Sequence, residues 1–136
     1  NAVLYPDIQG FSHIELVALA ADDYAKQWAE ADPTWQCGAV FGHLAASKRT
    51  VKRAGEWNHY TISAKGREIW VVLNGELINH MDMSQWLSGS TNPDGSAIPS
   101  WMWKPFAVLP LEGHIGFQGK HAGAPIWFRN IKVKKL

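Results

Sequence analysis

Two short stretches hold most of the side chains that could do acid–base chemistry. Glu15 lies in the apolar run "HIELVAL", while Lys120 and His121 follow "HIGFQG" near the other end of the chain. A carboxylate or an imidazole can remove or return a proton, and a cation such as Lys120 or Arg129 can stabilise the negative charge that develops. Glu15 is the one obvious carboxylate of the set, which argues against glycoside hydrolysis by a pair of carboxylates.

The alternation within both stretches predicts that their polar residues share one groove. In "HIELVAL" the apolar positions 14 and 16 flank Glu15, and in "HIGFQ" the apolar positions 115 and 117 precede Gln118. Alternate residues of a strand point to opposite faces of a sheet. If the apolar positions face the core, Glu15 and Gln118 line the other face, and His121 lies close to them.

Each candidate residue also has a structural explanation. Glu15 could be an outward, solvated residue, and His121 could be an exposed loop histidine. Arg129 could pair with a carboxylate such as Glu56 rather than act in catalysis. Trp57 and Trp70 could be sugar platforms or core residues, because each indole buries a large apolar area. The residue types alone leave these alternatives open.

Several classes of site are not indicated. The six histidines form no His-x-His or His-Glu-x-x-His pattern, so no catalytic zinc is predicted. There is no Gly-x-Ser-x-Gly elbow and no glycine-rich phosphate loop. We therefore predict no cofactor, and the sequence leaves open whether a structural Ca²⁺ is bound. With one cysteine, Cys37, no intrachain disulfide forms, and its apolar neighbours predict a buried thiol.

Composition predicts one soluble-type domain with an aromatic-rich core or ligand site. The 136 residues are 46% hydrophobic and include eight Trp residues. The net charge of +1 argues against a nucleic-acid partner. No stretch is long and apolar enough to span a bilayer. Carbohydrate sites commonly use many aromatic rings, because the C–H faces of sugars lie flat on them.

The clearest predicted element is a hairpin. "YTISA" and "REIWVVL" alternate with period two, and Lys65-Gly66 connects them tightly. Asn74-Gly75 predicts a type I′ turn into "ELINHM", because both residues tolerate a positive φ. Strands are also predicted for "AVLYP", "SHIELVAL", "QCGAVFGHLAAS", "GHIGFQGK" and "PIWFRNIKVKKL", with one short helix after Asp22 or Asp23 that Pro33 ends. The sum is an all-β sandwich or jelly roll.

Residues 82–110 break this rhythm. The segment holds four prolines and three tryptophans, Trp86, Trp101 and Trp103. Because long loops are uncommon in compact domains unless functional, and disordered linkers are poor in Trp, we expect an ordered excursion packed on the domain. It could form a lid over a sugar or cover part of the core.

The order of motifs resembles the 3-keto-disaccharide hydrolase family. The resemblance rests on the opening "NAVLY…HIELVAL", then "AGEWNHYTI", "VVLNGELI" and "GHIGFQGKHAGAPIWFRNIKVKKL", and it covers nearly the whole chain. It implies a concanavalin A-like β-sandwich, or jelly roll, with one short helix. The positions that match the family pattern are Asn1, Glu15, 38–42, 55–58, Asn74-Gly75, Gln118, His121 and 128–131.

The resemblance implies an activity and assigns roles. It implies cleavage of 3-keto-glycosides, in which a base removes the C2 proton and the aglycone leaves from C1. His121 or Glu15 would be the base, with Lys120 or Arg129 steadying the enolate. Substrate-binding residues would be Asn1, Trp57, Trp70 and Gln118. The ligand would be an oxidised glycoside and the location periplasmic or secreted.

Two departures from the family pattern matter. A polar site position is Val17 here, and a serine is Ala2. The family's strands before the first motif are absent, so we expect a single domain, 1–136, that is incomplete at its amino end, or a partner chain that supplies those strands. The rival functions are a non-catalytic carbohydrate-binding module and a half-domain whose role is association with another chain.

Overall fold

The chain folds around one five-stranded antiparallel sheet. The structure is a computed structural model that describes residues 13–19, 29–111, 114–117 and 126–135, the first of these as backbone only. The strands are β1 (His13–Leu19), β2 (Asn58–Lys65), β3 (Glu68–Leu73), β4 (Glu76–Asp82) and β5 (Trp127–Lys134), in the spatial order β4-β3-β2-β1-β5. The predicted strand "AVLYP" and nearly all of the predicted helix lie outside the described residues.

The predicted hairpin is confirmed. Asn74 and Gly75 have φ values of 53° and 86°, as a type I′ turn requires, and they join β3 to β4. The Asn74 side chain reinforces the turn: its Oδ1 accepts from the backbone N–H of His59 at 2.9 Å, and its Nδ2 donates to the carbonyl of Thr50 at 2.7 Å. The turn is thereby tied to the start of β2 and to the chain that precedes it.

One face of this sheet is buried. Alternate residues of β2 and β3 are inaccessible, as their sequence alternation predicts, with Leu73 at 0% exposure. β4 breaks the alternation at a bulge between Val71 and Val72 of its partner, so that Ile78 and Asn79 are both buried. The buried sheet residues are Tyr60, Ile62, Ile69, Val71, Leu73, Ile78 and Met81.

Two segments of irregular chain, 33–51 and 83–109, cover the buried face, and we call them the loop layer. Their contributions to the core are Cys37, Val51, Met83, Trp86, Ile98 and Phe106. Trp86 is 5% exposed and its indole N–H donates to Asn92 Oδ1 at 2.8 Å, which satisfies its polar atom. Trp101 and Trp103 instead lie at the surface, 67% and 66% exposed. The core is therefore covered by one of the segment's three tryptophans.

The prediction of a strand for "QCGAVFGHLAAS" is wrong. Residues 36–44 form consecutive turns with a single isolated bridge between Val40 and Leu44. Gly38 and Gly42 have φ values of 86° and 69°, a conformation that an extended strand does not contain. Gly38 also lies against the core, since an added Cβ would be 2.1 Å from Cδ1 of Ile78. Cys37 is a buried thiol, as predicted.

The predicted carboxyl-terminal strand is confirmed as β5. The predicted strand "GHIGFQGK" before it is not a strand in its described part. His114–Phe117 carries no ladder pairing, and the remainder of "GHIGFQGK" lies outside the described residues. Within the part of the chain that the structure covers, no helix has the length and apolarity needed to cross a membrane.

Candidate functional site

The sheet face opposite the core is the candidate site, and we call it the open face. On β2 and β3 it carries half-buried residues at the positions that alternate with the core, among them Thr61 and Trp70. Residues that stand directly opposite in an antiparallel register share a face. The register extends the open face through positions 13, 15 and 17 of β1 to Arg129, Lys132 and Lys134 of β5.

Position 15 lies in the middle of this face. In the register Glu15 stands opposite Thr61 of β2 on one side and Lys132 of β5 on the other. Position 17, a valine, stands opposite His59 and Arg129. The register thus assigns Glu15 to the face away from the core, and it brings two cationic residues of β5 to the strand beside it.

A bulge in β5 sets the spacing of those cations. The β1–β5 register shifts between Glu15 and Val17, and Asn130 takes a φ of 55° there. The one extra residue between Arg129 and Lys132 allows both of them to fall on the open face, which strict alternation would not permit. The bulge therefore supplies a second cation beside the β1 carboxylate position.

Trp57 and Arg129 form a cation–π pair. The guanidinium carbon of Arg129 lies 3.9 Å from the centre of the Trp57 ring, and Arg129 is exposed while Trp57 is half-buried. The predicted pairing of Arg129 with Glu56 is not what the structure shows for this side chain. Such a contact holds the guanidinium in place on a rigid ring. One face of Trp57 is thus occupied by Arg129 rather than open to a sugar.

Trp70, His80 and Glu68 form a second group on the same face. The rings of Trp70 and His80 stack, with centroids 5.1 Å apart and planes 8° from parallel. The imidazole Nε2 of His80 donates to Glu68 Oε2 at 2.5 Å. A carboxylate that holds an imidazole this way fixes its tautomer and the orientation of its ring. The group is exposed to solvent, and its imidazole covers one face of Trp70.

Asn58 has a structural role in the polar stretch "EWNH" at the start of β2. Its side chain is 1% exposed, and its Oδ1 accepts from the backbone N–H of Lys52 and from Asn74 Nδ2, each at 2.8 Å. The residue is therefore a structural anchor between the incoming chain and the hairpin turn. Trp57, one position earlier, belongs to the open face.

The structure brings some of the predicted site residues together and leaves the others unassigned. Arg129 and Trp57 are in contact, and Trp70 lies on the same face. Glu15 is described by its backbone, which the register places on that face. The remaining candidates, Asn1, Gln118, Lys120 and His121, lie outside the described residues, so their place in the site stays a prediction.

Sequence reasoning missed Lys132, Glu68 and His80. In the sequence Lys132 belongs to a run of lysines that is typical of a solvated strand face, and the β5 bulge that aligns it with Glu15 has no signal in the hydrophobic pattern. In the sequence His80 has no feature that separates it from a sheet-surface residue. The Asn74-Gly75 turn alone would pair Trp70 with Asn79, and the β4 bulge shifts the pairing to His80, so this contact has no signal in the sequence either.

The pKa shifts that have a clear physical cause lie in the loop layer and at the end of β4. Burial lowers the pKa of His43, which is 3% exposed. Hydrogen bonds from Ser84 lower the pKa of Asp82, and those from Ser96 lower the pKa of Asp94. Both aspartates are exposed turn caps. Among the described residues, no three His, Cys, Asp or Glu side chains are grouped so that they could hold a metal ion.

A family model for the 3-keto-alpha-glucoside-1,2-lyase-like domain matches residues 16–134. No curated protein matches the chain significantly. Among solved structures, one named "putative glycosyl hydrolase" from Parabacteroides distasonis ATCC 8503 is 40% identical to this chain. The match covers 94% of this chain and 79% of that one, with a TM-score of 0.90.

A second structure of the same name and organism is 15% identical, with a TM-score of 0.59 over 94% of this chain and 73% of that one. At this identity the likeness concerns the fold alone. Together with the antiparallel sheet, these comparisons establish the predicted fold class, an all-β, concanavalin A-like jelly roll.

Proposed function

The chain belongs to the 3-keto-alpha-glucoside-1,2-lyase-like domain family, and from this premise we propose that it is a carbohydrate-active enzyme that cleaves glycosidic bonds in sugars oxidised at C3. The observation that carries the proposal is the strand register at the centre of the open face. Glu15 stands opposite Lys132 there, and Arg129 stands opposite Val17, the next residue of β1 on the same face. A proton acceptor and cations on adjacent strands are what enolate chemistry needs. The related structure named a glycosyl hydrolase supports the carbohydrate class.

The proposed reaction is an elimination. A ketone at C3 acidifies the hydrogen at C2, so a base removes that proton and the C–H electrons form the C2–C3 double bond of an enolate. The enolate then collapses, a C1–C2 double bond forms, and the aglycone oxygen leaves C1 and takes a proton from a general acid. Water then adds across the C1–C2 double bond, with its hydroxyl group on C1 and its proton on C2, which completes a net hydrolysis. An oxidation at C3 by another enzyme must precede this step.

The roles on the open face follow from charge and position. Glu15 or His121 is the base, as the family resemblance implies, and Lys132 or Arg129 stabilises the enolate oxygen. Arg129 is held against Trp57, so its charge is fixed before substrate arrives. His80, on β4, lies three strands from β1, about 14 Å at the usual strand spacing, which is too far from Glu15 for both to act on the same C1–C2 unit.

The proposal is tested with a chromogenic 3-keto-glucoside, with the unoxidised glucoside as the matched substrate. We expect aglycone release from the 3-keto compound alone. With deuterium at C2, elimination releases the label to water and slows the reaction by a primary isotope effect, whereas direct displacement at C1 retains it. Equal cleavage of both glucosides with full retention of the label would contradict the elimination. No release from the 3-keto compound would refute the enzyme assignment.

A non-catalytic carbohydrate-binding module is the second candidate. Exposed tryptophans in the loop layer favour it, since Trp35 and Trp101 keep 40% and 67% of their surface in solvent. Sugar binding without any release of aglycone from the 3-keto-glucoside would select this alternative.

A further inference from the structure

Three aromatic rings form a continuous run on the outer surface of the loop layer. The rings of Trp35 and Phe41 stack with centroids 5.6 Å apart and planes 21° from parallel. Phe41 continues to Trp101 at 5.8 Å and 38°. The two outer rings are 40% and 67% exposed, and the central ring is half-buried. We call these three residues the aromatic run.

The run rests on a rigid frame. The backbone N–H of Gly42 donates to the carbonyl of Thr34 at 3.1 Å, which closes the turn that carries two of the rings. Gly42 also fits tightly against the second segment, since an added Cβ would lie 3.0 Å from both Met102 and Pro99. Asn92 Nδ2, which is buried, donates to the carbonyl of Gly42 at 3.2 Å. The spacing of the rings is therefore fixed before any ligand binds.

The exposure of Trp101 contrasts with the burial of Trp86 in the same segment. Trp86 is 5% exposed, and its indole N–H donates to Asn92. Leaving Trp101 in water forfeits the free energy that burial of a large indole would provide. Clustered exposed aromatic residues commonly mark a binding site.

The ring geometry indicates the class of ligand. Aromatic rings contact the flat C–H faces of pyranose rings, and a chain of sugars presents such faces in succession. The run places three rings in succession, turned by 21° and then by 38° from parallel. A small cavity borders the start of the same turn and is lined by Pro33, Gln36, Cys37, Ala46, Lys48 and Arg49. A protein partner would need an interface of about 1,000 Å² or more, far larger than three rings offer.

We propose that the aromatic run is a second carbohydrate site, which binds consecutive sugar units of an oligo- or polysaccharide apart from the open face. The two surfaces are separate because the loop layer covers one face of the sheet and the open face is the other. The inference rests on the proposed function for its ligand class. It goes beyond that function because it assigns residues that no step of the cleavage uses.

Affinity electrophoresis tests the site directly. The full chain is run in native gels that contain laminarin, hydroxyethyl cellulose or dextran, together with the variants Trp101→Ala, Trp101→Phe and Trp103→Ala. Trp103 is the matched control, because it is as exposed as Trp101 but makes no ring contact within the run. We expect retardation of the native chain in at least one gel. Its dissociation constant should rise on the order of tenfold for Trp101→Ala and little for Trp101→Phe or Trp103→Ala.

Each outcome has a definite meaning. No retardation of the native chain in any of the three gels overturns the proposal, as does an equal loss in Trp101→Ala and Trp103→Ala. Thermal unfolding of each variant checks that a loss of binding is not a loss of fold. If the native chain binds a gel through Trp101 yet releases no aglycone from a 3-keto-glucoside, the second site stands and the proposed enzymatic function fails.

Discussion

The two faces of the sheet use polar side chains in opposite ways. Behind the buried face, Asn79 donates to the carbonyls of Gly38 and Leu44, each at 3.2 Å, and Asn92 binds Trp86. On the open face the polar side chains bind one another or a ring, as the pairs of His80 with Glu68 and of Arg129 with Trp57 do. Behind the buried face, the polar side chains bond to backbone carbonyls and to the indole N–H, because a buried polar group without a hydrogen bond costs free energy.

This difference separates residues that hold the fold from residues that are free for chemistry. Removal of a buried polar or aromatic group should reduce stability, because its partners lose their contacts in a place that water does not reach. Removal of an open-face group should leave stability nearly unchanged and alter activity. The predictions below use this contrast, starting from the largest expected effect.

Trp86→Ala should lower the free energy of unfolding by about 3 to 5 kcal/mol. The substitution leaves a large cavity in the core cluster that includes Met83, Ile98 and Phe106, and it removes the hydrogen-bond donor to Asn92 Oδ1. Urea denaturation followed by circular dichroism measures the effect. The matched control is Trp103→Ala, an exposed tryptophan of the same segment, which should change the value by about 0.5 kcal/mol or less. Equal effects of the two substitutions would contradict the assignment of Trp86 to the core.

Asn58→Ala should cost about 2 to 3 kcal/mol. The substitution leaves the Lys52 N–H and the Asn74 amide without their shared acceptor at a position that is 1% exposed. Glu68→Gln is the open-face control and should cost about 1 kcal/mol or less, since exposed ion pairs contribute little. A loss below 1 kcal/mol for Asn58→Ala would mean that the anchor at the start of β2 is dispensable.

His43 should make stability fall as the pH is lowered. Its Nδ1–H donates to the carbonyl of Phe41 at 2.7 Å, its ring stacks on Phe106, and its Nε2 is buried without a partner. Burial lowers the pKa of the folded state below the unfolded value of about 6.5. The unfolded chain therefore binds more protons below that pH. The stabilisation is fully present above pH 6.5 and is lost as the pH falls through the folded-state pKa.

The slope from this one group is at most about 1.4 kcal/mol per pH unit, and urea titrations between pH 5 and pH 7.5 measure it. In His43→Phe the dependence of the unfolding free energy on pH should become shallower by the contribution of this one histidine. His80→Gln, which changes an exposed imidazole, serves as the control for general histidine effects. An unchanged slope in His43→Phe would show that the buried ring does not govern the acid limb.

The sequence predicts the regular part of the fold well. The alternation of "REIWVVL" identifies Ile69, Val71 and Leu73 as core, and Asn74-Gly75 identifies the turn, because both depend on local chemistry. The bulges in β4 and β5 escape prediction, since an extra residue costs little locally and is fixed by pairing between distant strands. The loop layer escapes for a similar reason: its apolar residues pack without period.

The site was predictable in outline only. Alternation indicates which face Glu15 occupies, but it cannot show that Lys132 is its neighbour, because that pairing depends on the β5 bulge. Nor does a sequence show that one face of Trp57 is covered by Arg129, or that one face of Trp70 is covered by His80. Arg129 is distant from Trp57 in the chain, and the pairing of His80 with Trp70 depends on the β4 bulge.

The central claim, that the open face performs chemistry while the other face holds the fold, is tested most directly by Glu15→Gln. The measurement is kcat/KM for release of aglycone from a 3-keto-glucoside, alongside the free energy of unfolding. We predict a fall on the order of a hundredfold or more, the contribution of a general base, with stability within about 0.5 kcal/mol of the native chain. A variant that keeps its activity within threefold, or that loses activity only because it unfolds, would contradict the account.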